Sequence, residues 1–165
     1  MRWEFFLPLV SFLGLVLGIA LAKISPEEMR PGKTIFKIFH HIVLLSIIAT
    51  LIYFSQNIFI IILGLIIGYF FRYDYIYLGL ALATSFLVSN EAIFIIASLI
   101  FIYGFPKGTL LESSKKTKFK SLILTLILFL IPFLIIFLPK MLSPEILFGL
   151  SAGLLAGHFR YLIFK

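Results

Sequence analysis

The sequence predicts an all-α integral membrane protein, a polytopic helical bundle of about seven transmembrane helices forming one domain over residues 1–165. Three observations predict it. The first is composition: 62% of the residues are hydrophobic, 13% are charged and the mean hydropathy is +1.17, whereas soluble domains carry about 45–50% apolar and about 25% charged residues. Such a chain cannot cover a water-facing surface. The second is that the apolar residues come in long runs nearly free of charge, Phe5 to Ala22, Ile42 to Phe54, Ile58 to Phe71 and Leu122 to Leu138. A helix needs about 20 such residues to cross a hydrocarbon core of about 30 Å. The third is that the cations lie in short connections between these runs, as in the cytoplasmic loops of membrane proteins. Period-2 alternation is absent, which argues against a β-barrel.

The helices are expected near 5–22, 35–54, 57–73, 75–89, 91–104, 119–138 and 145–162. Helix one carries a small-x-small step, Ala20-Leu21-Ala22, resembling a signal-peptidase site, but Glu4 sets a negative charge in the leading segment, so the helix is expected to be retained. Ser25-Pro26-Glu27-Glu28 combines a serine cap, proline at the first helical position and glutamate three residues after the cap. It predicts a short interfacial helix ahead of helix two. Helix three ends at Arg72-Tyr73-Asp74. Helices four and five are short, roughly 21–22 Å at 1.5 Å per residue, with Ser89-Asn90-Glu91 between them. They form either two short spans, which their length favours, or a re-entrant hairpin with that tripeptide at its tip. Phe105 to Lys118 is expected to be a loop. Helix six contains Pro132, which removes a backbone hydrogen bond and predicts a kink. Ser143-Pro144-Glu145 starts helix seven in the manner of Ser25-Pro26-Glu27.

If the chain changes side at each helix, all of its 14 Lys and Arg residues except Arg2 and Lys140 fall on one face. The positive-inside rule makes that face cytoplasmic, with the amino terminus outside and the carboxyl terminus inside a cell membrane. Merging residues 75–104 into one helix would destroy this asymmetry. Tyrosines 69, 73, 75, 77, 103 and 161 then fall at inner helix ends, where an interfacial belt is expected. The partners implied are the lipid bilayer, anionic headgroups at the cytoplasmic face, and either a second copy of the chain or subunits of a membrane complex. Nucleic acid is not among them, despite the net charge of +7.

The chain echoes itself. Lys33-Thr34-Ile35-Phe36-Lys37 opens helix two, and Lys116-Thr117-Lys118-Phe119-Lys120 opens helix six. Gly64-Leu65-Ile66-Ile67-Gly68 in helix three and Gly153-Leu154-Leu155-Ala156-Gly157 in helix seven are each followed by Arg-Tyr, and Gly14-Leu15-Val16-Leu17-Gly18 is a third copy in helix one. Fixed-order self-similarity marks duplication. It predicts a parallel 3+1+3 repeat, with half-repeats 5–73 and 91–162 around a linker helix 75–89. Parallel repeats occur in transporters, and the layout resembles that of the SWEET sugar transporters, without their paired Pro-Gln motif. Gly14, Gly18, Gly64, Gly68, Gly153 and Gly157 are expected to pack helices closely.

Glu91 is the carboxylate expected to matter most, because Thr84, Ser85, Ser89 and Asn90 around it form the densest polar patch within apolar sequence. The competing reading is a solvated carboxylate at a helix start. His41 and His158 are candidates for a proton path. His40 precedes His41, and neighbours on a helix point about 100° apart, so at most one of the two faces the core. Arg72, Asp74 and Arg160 form an expected inner-rim charge cluster, with lipid anchoring as its simpler role. Gly149-Leu150-Ser151-Ala152-Gly153 matches the serine-hydrolase elbow, but that motif needs a strand–turn–helix. Ser151 and His158 also lie about 10.5 Å apart along a helix axis. No catalytic residue, metal site or cofactor is expected, and the absence of cysteine excludes thiol chemistry.

The expected function is therefore non-enzymatic: a permease for a small polar solute, either uncoupled or coupled to protons, with its path between the two halves. The alternative is a non-catalytic subunit of a larger membrane complex, and a lipid-handling intramembrane enzyme comes third.

Overall fold

The structure is a computed structural model that describes residues 6–55, 57–71, 73–113, 119–137 and 143–163. The described residues are all helical in their regular structure: α1 Leu7–Ile24, α2 Pro26–Ser55, α3 Ile58–Phe70, α4 Asp74–Ser85, α5 Asn90–Ser113, α6 Phe119–Leu130 continued by a 3₁₀ segment Ile131–Phe137, and α7 Pro144–Ile163. Three of these helices are long and apolar enough to cross a membrane, over Leu7–Ile24, Pro31–Ser55 and Asn90–Glu112.

Local chemistry sets most of the ends. Asn57 caps α3, its Oδ1 accepting from the Ile60 N–H at 3.4 Å. Ser89 caps α5, its Oγ accepting from the Ala92 N–H at 3.2 Å. Pro144 occupies the first position of α7, where its missing N–H costs nothing. Two boundaries differ from expectation. The Ser25-Pro26-Glu27-Glu28 start is not a separate helix but opens α2, which runs on through Pro31. The expected loop after residue 104 is instead helical as far as Ser113, carrying α5 through Pro106. In α6 the α-helix gives way to a 3₁₀ helix beside Pro132, where the proline ring cannot fit the i−4 carbonyl.

Two glycine seams organise the bundle. A Cβ added to Gly14 would sit 2.8 Å from the Phe101 carbonyl carbon, and one added to Gly104 would sit 2.6 Å from the Leu15 nitrogen. Gly18 meets Phe105 in the same way, and Gly108 meets Ile19. The α1 and α5 backbones therefore touch, and their registers rise together, so the two helices are parallel. The α3–α7 seam repeats this arrangement. A Cβ at Gly64 would fall 3.1 Å from the Gly153 Cα, and one at Gly157 would fall 2.7 Å from the Tyr69 nitrogen. These helices are parallel as well. Absent side chains let the backbones approach, and dispersion between them replaces the hydrophobic drive that lipid does not supply.

Helix α2 packs against both α5 and α7, and α4 packs against α7, α6 and α5. Leu44, Ile47 and Leu51 of α2, Leu78 and Leu82 of α4, and Ile96 of α5 are fully buried in the resulting core. The opposite faces expose large apolar side chains, such as Leu13 and Leu17, Ile42 and Leu45, and Ile62 and Ile66. A bundle apolar inside and outside is suited to lipid rather than water.

Candidate functional site

The middle of α2, the start of α4 and the later parts of α5 and α7 come together around one site. Each brings polar residues. Asp74, first in α4, is 9% exposed. Its Oδ1 accepts from its neighbour's N–H, that of Tyr75, at 3.1 Å. Its Oδ2 accepts from Tyr103 Oη at 2.9 Å and from Lys107 Nζ at 2.8 Å. His158 Nε2 of α7 lies 4.0 Å from the same oxygen. One carboxylate oxygen thus gathers an ammonium, a phenol and an imidazole from two helices other than its own.

Around this centre lies an aromatic shell. The His40 ring, 2% exposed, lies 4.5 Å from the Tyr103 ring between centroids, and neither of its nitrogens has a hydrogen-bond partner among the described residues. His41 turns the other way and lies against the Phe159 ring, its Nδ1 meeting the Lys37 carbonyl. Of the histidine pair, the residue on the buried face is therefore His40, while His41 is half-buried. Tyr75 packs edge-on against Phe12 and Tyr103. Its hydroxyl is buried without a partner among the described residues.

The other candidates lie elsewhere. Ser89, Asn90 and Glu91 are exposed at the α4–α5 turn, which sits at the opposite end from Asp74. Thr84 and Ser85 are buried beside that turn, but their hydroxyls bond to their own helix, to the carbonyls of Leu80 at 2.7 Å and Leu82 at 2.6 Å. Of the expected rim cluster, Asp74 is the member whose contacts are described; Arg72 lies outside the described residues and Arg160 falls within α7. Lys116, Thr117 and Lys118 of the second K-T-x-F-K copy also lie outside the described residues. Ser151 is buried inside α7, with its hydroxyl on the Phe148 carbonyl at 3.0 Å. It is not on an elbow.

Sequence reasoning passed over Lys107, Tyr103 and His40 as site residues. Lys107 and Tyr103 follow from a feature that is readable in the sequence. Gly104-Phe105-Pro106-Lys107-Gly108 is a further G-x-x-x-G pair, and a helix that runs through Pro106 brings Lys107 one turn beyond Tyr103 on the same face. Among the described residues no cluster of His, Asp or Glu has the makings of a metal site. No protein-family model, curated protein or solved structure matches the chain.

Proposed function

We propose that the chain is a small multi-pass permease of the cell membrane, moving a polar solute along a path that involves the Asp74–Lys107 centre. The observation that carries this reading is the buried carboxylate itself. An ionised group held among apolar helices is expensive, and in membrane proteins such groups mark ion, proton or substrate paths. Here the carboxylate is shared by helices of different seams, α5 from one and α7 from the other, so relative movement of the seams changes its partners. Two glycine-packed pairs that move as units would supply that movement. Parallel pairing of α1 with α5 and of α3 with α7 supports a 3+1+3 repeat, because two of the three helices in each half then pack against their counterparts in the other. The cytoplasmic end in this reading is the Asp74 end, where the positive-inside rule sets the cations.

The rival reading, a subunit of a larger complex, draws on a groove of about 310 Å³ between α1 and α5, lined by Leu7, Val10, Phe94 and Phe101. It fits an apolar partner. The glycine faces no longer support this rival, because all six predicted glycines pack within the chain.

Reconstitution into liposomes separates the two. The permease reading expects flux of at least one member of a panel of anionic, neutral and cationic solutes, lost in the doubly neutral variant Asp74→Asn/Lys107→Gln and kept in Glu91→Gln. Absence of flux across the panel, together with a stable co-purifying membrane partner, would replace it with the subunit reading.

A further inference from the structure

The way the Asp74–Lys107 pair can open indicates a solute class, and this step rests on the permease reading. We infer that the solute is a small anion, which takes the place of the Asp74 carboxylate on Lys107 Nζ when Asp74 accepts a proton, so that anion and proton move together.

Geometry restricts the exchange. Lys107 Nζ and Tyr103 Oη both converge on Oδ2, while Oδ1 is committed to the Tyr75 N–H. A proton arriving on Oδ2 removes the counter-charge of Lys107 and turns the Tyr103 hydroxyl away in a single event. The ammonium, its side chain 18% exposed, then has no counter-charge among the described residues. An anion satisfies it. A cationic solute would instead have to share Asp74 with the ammonium or force Lys107 to give up its proton. Sharing is opposed by like charge so close, and giving up the proton would make the cycle a cation–proton exchange, which the choline arm of the test below would show.

The proton has a donor in place. Among the described residues, the titratable groups that face Asp74 are Lys107 and Tyr103 from α5, His158 from α7, His40 from α2, and Tyr75 and Tyr77 from its own helix. His158 Nε2, at 4.0 Å, is within reach of Oδ2 after a small side-chain movement or through one water. In the transfer the Nε2–H bond of the imidazolium breaks and an Oδ2–H bond forms, leaving a neutral imidazole and a neutral carboxylic acid. The imidazole recovers its proton from the adjacent aqueous face. Among the described residues the same end of the bundle exposes Lys23, Lys33, Lys37 and Lys120 against Glu27, with Glu112 half-buried. This excess of positive charge concentrates anions at the mouth and repels cations.

The test uses the full chain in phosphatidylcholine liposomes containing a pH-sensitive dye, with succinate and inorganic phosphate as anionic probes and choline and glucose as comparators. An inward gradient of one of the anions should acidify the lumen. Below saturation its initial uptake should rise by up to about tenfold for each unit fall in external pH, the limit for one proton per turnover. Asp74→Asn, which mimics the protonated acid, should still bind the anion, with pH dependence and lumenal acidification both lost. Asp74→Asn/Lys107→Gln leaves no lone charge to impair folding, and should lose binding. Flux of choline or glucose without the anions would overturn the inference while leaving the permease reading intact, and absence of all flux would overturn both. Unchanged pH dependence in Asp74→Asn would also overturn it. So would an anion response that occurs only when phosphatidylglycerol is added, which would make a lipid headgroup the ligand.

Discussion

Replacing Gly14 by alanine tests the parallel seams directly. The new methyl carbon would lie 2.8 Å from the Phe101 carbonyl carbon and 3.0 Å from its Cα, where ordinary contact begins at 3.4 Å. The shortfall is 3.4 − 2.8, or at least 0.6 Å, and every atom it meets is backbone. No rotamer change relieves it, so α1 and α5 must separate along their contact. Overpacking of this kind costs about 1–3 kcal/mol. Gly32→Ala is the control. Its methyl would meet the Phe36 ring edge at 3.2 Å, a side chain that can swing aside, and better helix propensity should make it neutral or stabilising by up to about 1 kcal/mol. Gly153→Ala loads the other seam against Ile61 and Leu65. The two seams share no partner residue in these contacts, so the losses in Gly14→Ala/Gly153→Ala should add to within about 0.5 kcal/mol. Reversible unfolding in mixed micelles, followed by circular dichroism, measures all four variants. Gly14→Ala as stable as the parent, or as harmless as Gly32→Ala, would refute the seam and the helix orientation drawn from it.

Neutralising one partner of the central ion pair should be worse than neutralising both: Asp74→Asn or Lys107→Gln leaves a buried charge and should cost about 3–5 kcal/mol, while the double variant recovers most of it, as a double-mutant cycle of unfolding free energies will show. Because the chain contains no cysteine, introduced thiols report cleanly. Val10→Cys/Ser98→Cys, both exposed and lining one groove between α1 and α5, should cross-link with a short bifunctional maleimide, whereas antiparallel helices would hold them apart. Glu91→Cys at the exposed turn should react with a membrane-impermeant maleimide in intact vesicles, and the fully buried Ser85→Cys should not; equal labelling would remove the turn from the surface. Pro132→Leu should convert the 3₁₀ segment towards α-helix and raise the helical circular dichroism signal, since the break follows from the proline's missing donor.

Much of the architecture was readable from local pattern. Helix one, Asn57 at the head of α3, Ser143-Pro144 at the head of α7 and the irregularity at Pro132 all depend on residues within a turn or two of each other. Helix α5 runs past its expected end at residue 104 and through Pro106, a residue that ordinarily stops a helix. It continues here while Gly104 and Gly108 lie against the α1 backbone, a contact between residues about ninety positions apart. The site was missed for the same reason. Glu91 stood out in the sequence because polar residues surround it along the chain, but folding sets it at an exposed turn. Asp74 looked like a rim charge beside Arg72, and folding buries it under Lys107 and Tyr103.

The sequence by itself determined that this chain carries helices long and apolar enough to cross a membrane, where most of its helices begin, and which helices carry faces bare enough to touch. Those properties are set by composition, by spacing along one helix and by capping residues close in sequence. Tertiary structure decided which bare face meets which, and therefore which charges share a pocket. Four G-x-x-x-G faces allow several pairings of nearly equal local quality, and only the packing of the whole bundle selects α1 with α5 and α3 with α7. That selection brings a carboxylate, an ammonium and two imidazoles from four helices to one end.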